Sequence, residues 1–192
     1  MVAIYGGSFN PIHTGHVSLA KSLLDQGLVD EVWLMVSPQN PLKAADANAP
    51  SYNAEEYGHR LSMARLACRS ISGIHVSDFE SHLPIPSYTH TTLTQLISLY
   101  PDRQFTLVIG ADNWQRFDRW YRAADIISLC PILVYRRPGC DITIPQQYAD
   151  RVRIVDTPLY DVSSTEIRNH EKLDMIHPSV LRYIRRHHLY GI

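Results

Sequence analysis

"VAIYGGSFNPIHTGHVSLAKSLLDQ", residues 2–26, begins as a short apolar run, breaks into a loop and ends in a helical pattern. "VAIY" (2–5) reads as a buried strand. "HVSLAKSLLDQ" (16–26) reads as a helix, with Val17, Leu19, Ala20, Leu23 and Leu24 favouring one face and Gly27 as its stop. The rest of the chain repeats this alternation. Strands are expected at 31–37, 74–78, 104–110, 132–137 and 152–157, and a polar, proline-punctuated loop at 38–53. Helices are expected at 55–71, 89–100 (closed by Pro101), 113–130 (a run that can break in two), 164–170 and 179–189. Such a β-α-β-α order predicts an α/β fold: a doubly wound, mostly parallel sheet with helices on both faces. In such sheets ligands bind beyond the carboxyl ends of the strands. The loop after the first strand lies at one of those ends.

That loop, "GGSFNPIHTGH" (6–16), has an unusual mixture of residues. Gly6 and Gly7 let backbone approach a ligand closely, and Asn10-Pro11 makes a turn. His13 and His16 are three apart, so they share a face at the start of the helix. A helix start offers free amides and partial positive charge, and imidazoles add donors, so the chemistry fits a phosphate. A plain strand-to-helix turn with surface histidines, and a metal site built on H-x-x-H, are the competing readings. No HExxH and no nearby cysteine or acid completes a metal set, and neither GxxxxGK[ST] nor GxGxxG is present.

Composition narrows the field. Hydrophobic residues make up 45% of the 192, enough for a core without disulfides. Net charge is −1, with 18 basic and 19 acidic residues, which gives no footprint for nucleic acid or for an anionic membrane. Cys68, Cys130 and Cys140 are scattered and odd in number, as expected of reduced thiols in a cytoplasmic protein; Cys68 and Cys130 read as packing residues. No signal peptide is recognisable, and apolar runs such as "VWLMV" (32–36) are too short to span a bilayer.

Late in the chain, "VSSTEIRNH" (162–170) contains an S-x-x-E capping box, Ser163 to Glu166, followed by Arg168. Together with "GGSFNPIHTGH" it resembles the paired signatures of the HxGH nucleotidyltransferases, specifically those of bacterial nicotinate mononucleotide adenylyltransferases. The resemblance runs from the first strand to the last helix, "LRYIRRHHLY" (181–190), where His187 and His188 read as incidental. It implies a Rossmann-like fold in one nucleotidyltransferase domain, 1–192, with a small helical part from about 158 to 192. It also implies adenylyl transfer from ATP to nicotinate mononucleotide in NAD biosynthesis. Mg²⁺ is expected to be carried with ATP, and no protein metal site is implied.

By that resemblance His13, His16 and Arg168 are catalytic. Gly6, Gly7, Ser8, Phe9, Lys43, Gly110, Asp112, Ser163, Ser164 and Thr165 join them in holding ATP. Tyr88, Thr89, Trp120, Tyr121 and Arg136 are implied for the mononucleotide, with Trp120 stacked on the pyridine ring. From the residues alone, Thr89 could equally be an N-cap, Asp112 a cap and Trp120 a core aromatic. Thr91 stands where the family usually has an acid, and Trp114 has no sequence-level account. Alternative acceptors are nicotinamide mononucleotide or a pantetheine phosphate, and a non-catalytic nucleotide-binding module is the alternative from a different class. A homo-oligomer is compatible with all of these readings.

Overall fold

The computed structural model describes residues 1–41 and 51–192; Lys43 lies outside the described residues. Six parallel strands form one sheet: β1 (Val2–Gly7), β2 (Glu31–Val36), β3 (Ile74–Ser77), β4 (Phe105–Gly110), β5 (Ile132–Tyr135) and β6 (Val152–Val155). Their spatial order is β3-β2-β1-β4-β5-β6, the doubly wound order. Helices α1 (Thr14–Asp25), α2 (Ala54–Cys68), α3 (Thr89–Leu99), α4 (Ala111–Trp114), α5 (Ala123–Leu129), α6 (Ser164–Arg168) and α7 (Pro178–Arg186) cover it.

Strand alternation divides the interior into two cores. Ala3 and Tyr5 of β1, Val32 and Leu34 of β2, and Leu133 and Tyr135 of β5 face one side, packed by α1, α2, α6 and α7. Val2 and Ile4 of β1, Leu107 and Ile109 of β4, and Ile132 and Val134 of β5 face the other, packed by α3, α5 and the segment 114–120. On α1 the apolar stripe behaves as its spacing predicts: Leu19, Ala20 and Leu23 are buried, while Val17 and Leu24 pack at the margin. Cys68 and Cys130 are buried, and burial pushes their thiols up to about 12 and about 11.

Local signals set the helix ends. Asn53 caps α2, its side chain accepting from the amides of Glu55 and Glu56 at 2.9 and 3.2 Å. Ser163 and Glu166 form the anticipated capping box on α6. Most element ends shift by a few residues from the sequence reading, and three differences bear on the site. Helix α1 begins at Thr14, so His13 is its N-cap rather than a loop residue. Tyr88, not Thr89, occupies the N-cap of α3. The run 113–130, which could break in two, divides into α4, a 3₁₀ turn at Phe117–Arg119 and α5, with Trp120 extended and Arg122 left-handed at φ +55° interrupting the helix between the last two.

Leu34, fully buried at the centre of the sheet, tests this core. Leu34→Ala is expected to cost about 2–5 kcal/mol in urea denaturation, against less than about 0.5 kcal/mol for Leu99→Ala on the exposed end of α3.

Candidate active site

Strand order reverses between β1 and β4, so the crevice opens where Gly7 and Gly110 end those strands. The loop after β1 is held from both sides. Arg60 of α2 is buried, and its guanidinium donates to the carbonyls of Ser8, Ser37 and Pro38 at 2.7, 2.8 and 3.0 Å. From the far end of the chain, Arg168 donates to the Asn10 carbonyl at 2.6 Å and to the Thr165 hydroxyl at 3.1 Å. The Ser164 hydroxyl donates to the Pro11 carbonyl at 2.9 Å. The two segments with the strongest sequence signals are thus bonded to each other.

The histidines lie at the start of α1. Their rings stack with centroids 3.6 Å apart and planes 29° from parallel. The His13 amide donates to His16 Nδ1 at 3.2 Å, so a neutral His16 carries its proton on Nε2, as a donor. His13 Nδ1 is buried and has no hydrogen-bond partner among the described residues. Gly15 makes this packing possible: a Cβ there would stand 3.1 Å from His13 Nδ1 and 3.0 Å from Val162 Cγ1. Phe9, at φ +45°, turns inward and closes edge-on against His16, with ring centroids 5.1 Å apart.

Burial and the nearby positive charge of Arg137 bring His13 down to about 4, with Glu166 opposing. Burial, His13 and Arg137 hold His16 well below the ordinary imidazole range. Both rings are therefore neutral near pH 7 in the unliganded protein. An anion placed among His13, His16 and Arg137 raises both.

Arg137 is a site residue that the sequence reading missed. Arg136 is exposed, whereas Arg137 is half-buried, and both border the pocket of Tyr5, His13, His16 and Thr157. The signal was available: Leu133 and Tyr135 point to the α1 side of the sheet, and a period of two carries Arg137 to the same side. Arg137 Nε is buried without a hydrogen-bond partner, 3.6 Å from Asp112 Oδ1. Asp112 is exposed beside it at the end of β4.

Other predicted residues take up particular places. Gly6, Gly7 and Ser8 line the end of β1. The Ser163 hydroxyl is engaged with Glu166, donating to Oε2 at 2.8 Å and accepting from the amide at 3.2 Å. Around the second core, Tyr88 and Tyr121 bring their rings to 5.0 Å at the start of α3, next to Thr89. Trp120 is half-buried against Phe117, its Nε1 buried without a partner. Trp114 now has an account. Its ring stacks on Phe117 and its Nε1 donates to the Thr143 carbonyl at 2.9 Å, bracing the loop after β5. A cavity of about 440 Å³ opens behind Trp114 and Phe117, away from the histidines.

A doubly wound sheet with imidazole and guanidinium donors gathered at its switch point is the arrangement of a nucleotide-binding α/β protein. A cytidylyltransferase-like family model matches residues 4–170, and the chain belongs to that family. It is 46% identical over 189 residues to the probable nicotinate-nucleotide adenylyltransferase of Bacteroides thetaiotaomicron, covering 96% of this chain and 90% of that one. To the protein of the same name from Flavobacterium psychrophilum it is 33% identical over 196 residues, 98% of each. The Plasmodium falciparum nicotinic acid mononucleotide adenylyltransferase, solved with NaAD, shares the fold at a TM-score of 0.79 and 22% identity, over 99% of this chain and 97% of that one.

The depressed His13 has a consequence for stability. Between about pH 6.5 and 4 the unfolded chain binds a proton that the folded chain refuses. His13 therefore contributes full stability above pH 6.5, lost as pH falls towards 4, by on the order of 3 kcal/mol. Urea denaturation across that range is expected to show the slope, and His13→Gln to reduce it while leaving the share due to the likewise depressed His16.

Proposed function

We propose that the chain transfers the adenylyl group of ATP to nicotinate mononucleotide, giving nicotinate adenine dinucleotide and pyrophosphate, a step of NAD biosynthesis. The observation that carries this reading is the stacked, neutral His13–His16 pair facing Arg137 at the switch point. The acceptor phosphate is already anionic near pH 7, so its oxygen attacks the α-phosphorus without a dedicated base. A new P–O bond forms. The bond from the α-phosphorus to the bridging oxygen breaks, and pyrophosphate leaves with the electron pair.

The work left to the protein is alignment of two anions and stabilisation of charge. His16, protonated on Nε2, donates to a phosphate oxygen, and the guanidinium of Arg137, which borders the same pocket, does the same. At the start of α1 the His16 amide already donates to the His13 carbonyl at 3.0 Å, which leaves the Thr14 and Gly15 amides for a phosphate oxygen. Ser164, Thr165 and Arg168 hold the outer phosphates, a role that the family resemblance also gives to Lys43, and Gly110 and Asp112 border the nucleoside. On the acceptor side Trp120 stacks on the pyridine ring, with Tyr88, Thr89 and the Tyr121 amide around its carboxylate.

Mg²⁺ is assigned to the ATP phosphates. Among the described residues no group of three or more His, Cys, Asp or Glu side chains could hold a metal ion. Bound there, the ion would offset phosphate charge. The reading places the protein in the cytoplasm; among the described residues no helix is long and apolar enough to cross a membrane.

The direct test is pyrophosphate release on incubation with ATP, Mg²⁺ and each mononucleotide in turn. Release is expected with nicotinate mononucleotide; none with either acceptor would falsify the assignment. His16→Ala is expected to fold normally and lose about a hundredfold in kcat, the value of one transition-state donor. Trp120→Ala is expected to raise KM for the mononucleotide more than KM for ATP in the same steady-state assay; equal effects on both would mark Trp120 as a core residue.

A further inference from the structure

Arg137 has one hydrogen bond to protein among the described residues: its Nη2 donates to the Tyr135 hydroxyl at 3.1 Å. The same phenol ring lies under the guanidinium, 5.3 Å from centroid to Cζ. Tyr135 is the last residue of β5 and is buried, so it is a fixed platform rather than a surface side chain. Its oxygen accepts from Arg137, which leaves its own proton for the Tyr5 hydroxyl, 3.5 Å away, and the two rings meet edge-on at 6.0 Å.

Tyr5 and Tyr135 belong to strands separated by β4, and their hydroxyls meet only because β4 leaves room. Gly110 ends β4 between them. A Cβ at Gly110 would stand 3.1 Å from both Cζ and the hydroxyl oxygen of Tyr135. Gly110 therefore keeps open the slot in which the Tyr135 phenol reaches across the sheet. Asp112 steadies the guanidinium from the other side, at 3.6 Å from Nε, too far for a hydrogen bond. Arg137 and His13 line the same pocket; among the described residues neither the buried Arg137 Nε, which is turned to Asp112, nor the buried His13 Nδ1 has a hydrogen-bond partner.

The geometry points to Tyr135 as the positioning residue for Arg137: its hydroxyl and ring fix the guanidinium, before nucleotide arrives, at the border of the pocket that His13 and His16 also line. An arginine on a free four-bond stem loses much rotamer entropy when it binds an anion. One held in advance loses little, and its charge is in place when the α-phosphorus is attacked. Tyr135 itself touches no substrate. The inference rests on the adenylyl-transfer reading and deepens it.

A double-mutant cycle separates this role from simple packing. Tyr135→Phe keeps the ring and removes the hydroxyl. With ATP and nicotinate mononucleotide it is expected to lower kcat/KM about tenfold, in line with one hydrogen bond to a charged group. In an Arg137→Ala background the same substitution is expected to have no further effect. Thermal unfolding of all four proteins checks that the fold survives. An unchanged kcat/KM for Tyr135→Phe, or the same loss in both backgrounds, would overturn the proposal. Wild-type kinetics for Arg137→Ala would overturn it as well, together with Arg137's place in the pocket, while the reaction itself stood. Absence of any transfer by the wild-type protein would instead be a failure of the functional reading.

Discussion

The carbonyls of Ser8, Asn10 and Pro11 are the constraint on which the site depends. They lie in a loop that leaves β1 and has not yet entered α1, so neither ladder nor helix can satisfy them. Backbone acceptors withdrawn from water need partners. Three side chains from distant positions supply them: Arg60 from α2, Ser164 and Arg168 from α6. Each arginine contributes a charge-assisted hydrogen bond, stronger than a neutral one. The Tyr190 hydroxyl adds a further bond to the Asn10 side chain. The loop is thereby fixed against the start of α1, and the histidines inherit its position.

Electrostatics then set what the fixed loop can do. Two imidazoles stacked at 3.6 Å beside a guanidinium cannot both be charged, and burial depresses each of them further. The unliganded site is therefore a set of neutral donors with one strong positive charge at its edge. An anion entering among these groups would raise the affinity of the imidazoles for protons, so on the proposed reading substrate binding and histidine charge are coupled. That coupling is steeper than an exposed pair of histidines would give, because little water screens it.

Much of the scaffold was legible in the sequence. Apolar runs such as "TLVI" on β4 and the stripe of α1 have one physical solution each, burial on both faces or on one. The two motifs were legible because capping, turns and paired histidines leave local marks. What was missed depends on contacts between distant segments. Arg60 looks like any helix arginine until the ends of β1 and β2 converge on it. Arg136 and Arg137 are adjacent and chemically identical, and only the parity of β5 decides which one turns inward. Ser163 could be read as a phosphate ligand or as a cap, and its hydroxyl lies in the capping box. Trp114 acquired a reason only when the loop at Thr143 came back to accept its N–H.

The alternation that divides the interior also divides the labour of the crevice. His13, His16, Tyr135 and Arg137 stand over the core shared by α1, α2, α6 and α7. Phe117 and Trp120 stand over the core shared by α3 and α5. The sheet is a partition between them, and the two sides meet only at its carboxyl edge. Because each compartment packs on its own core, a substitution in one has no direct contact through which to disturb the other; on the proposed reading, acceptor preference is then free to drift while the triphosphate side is kept.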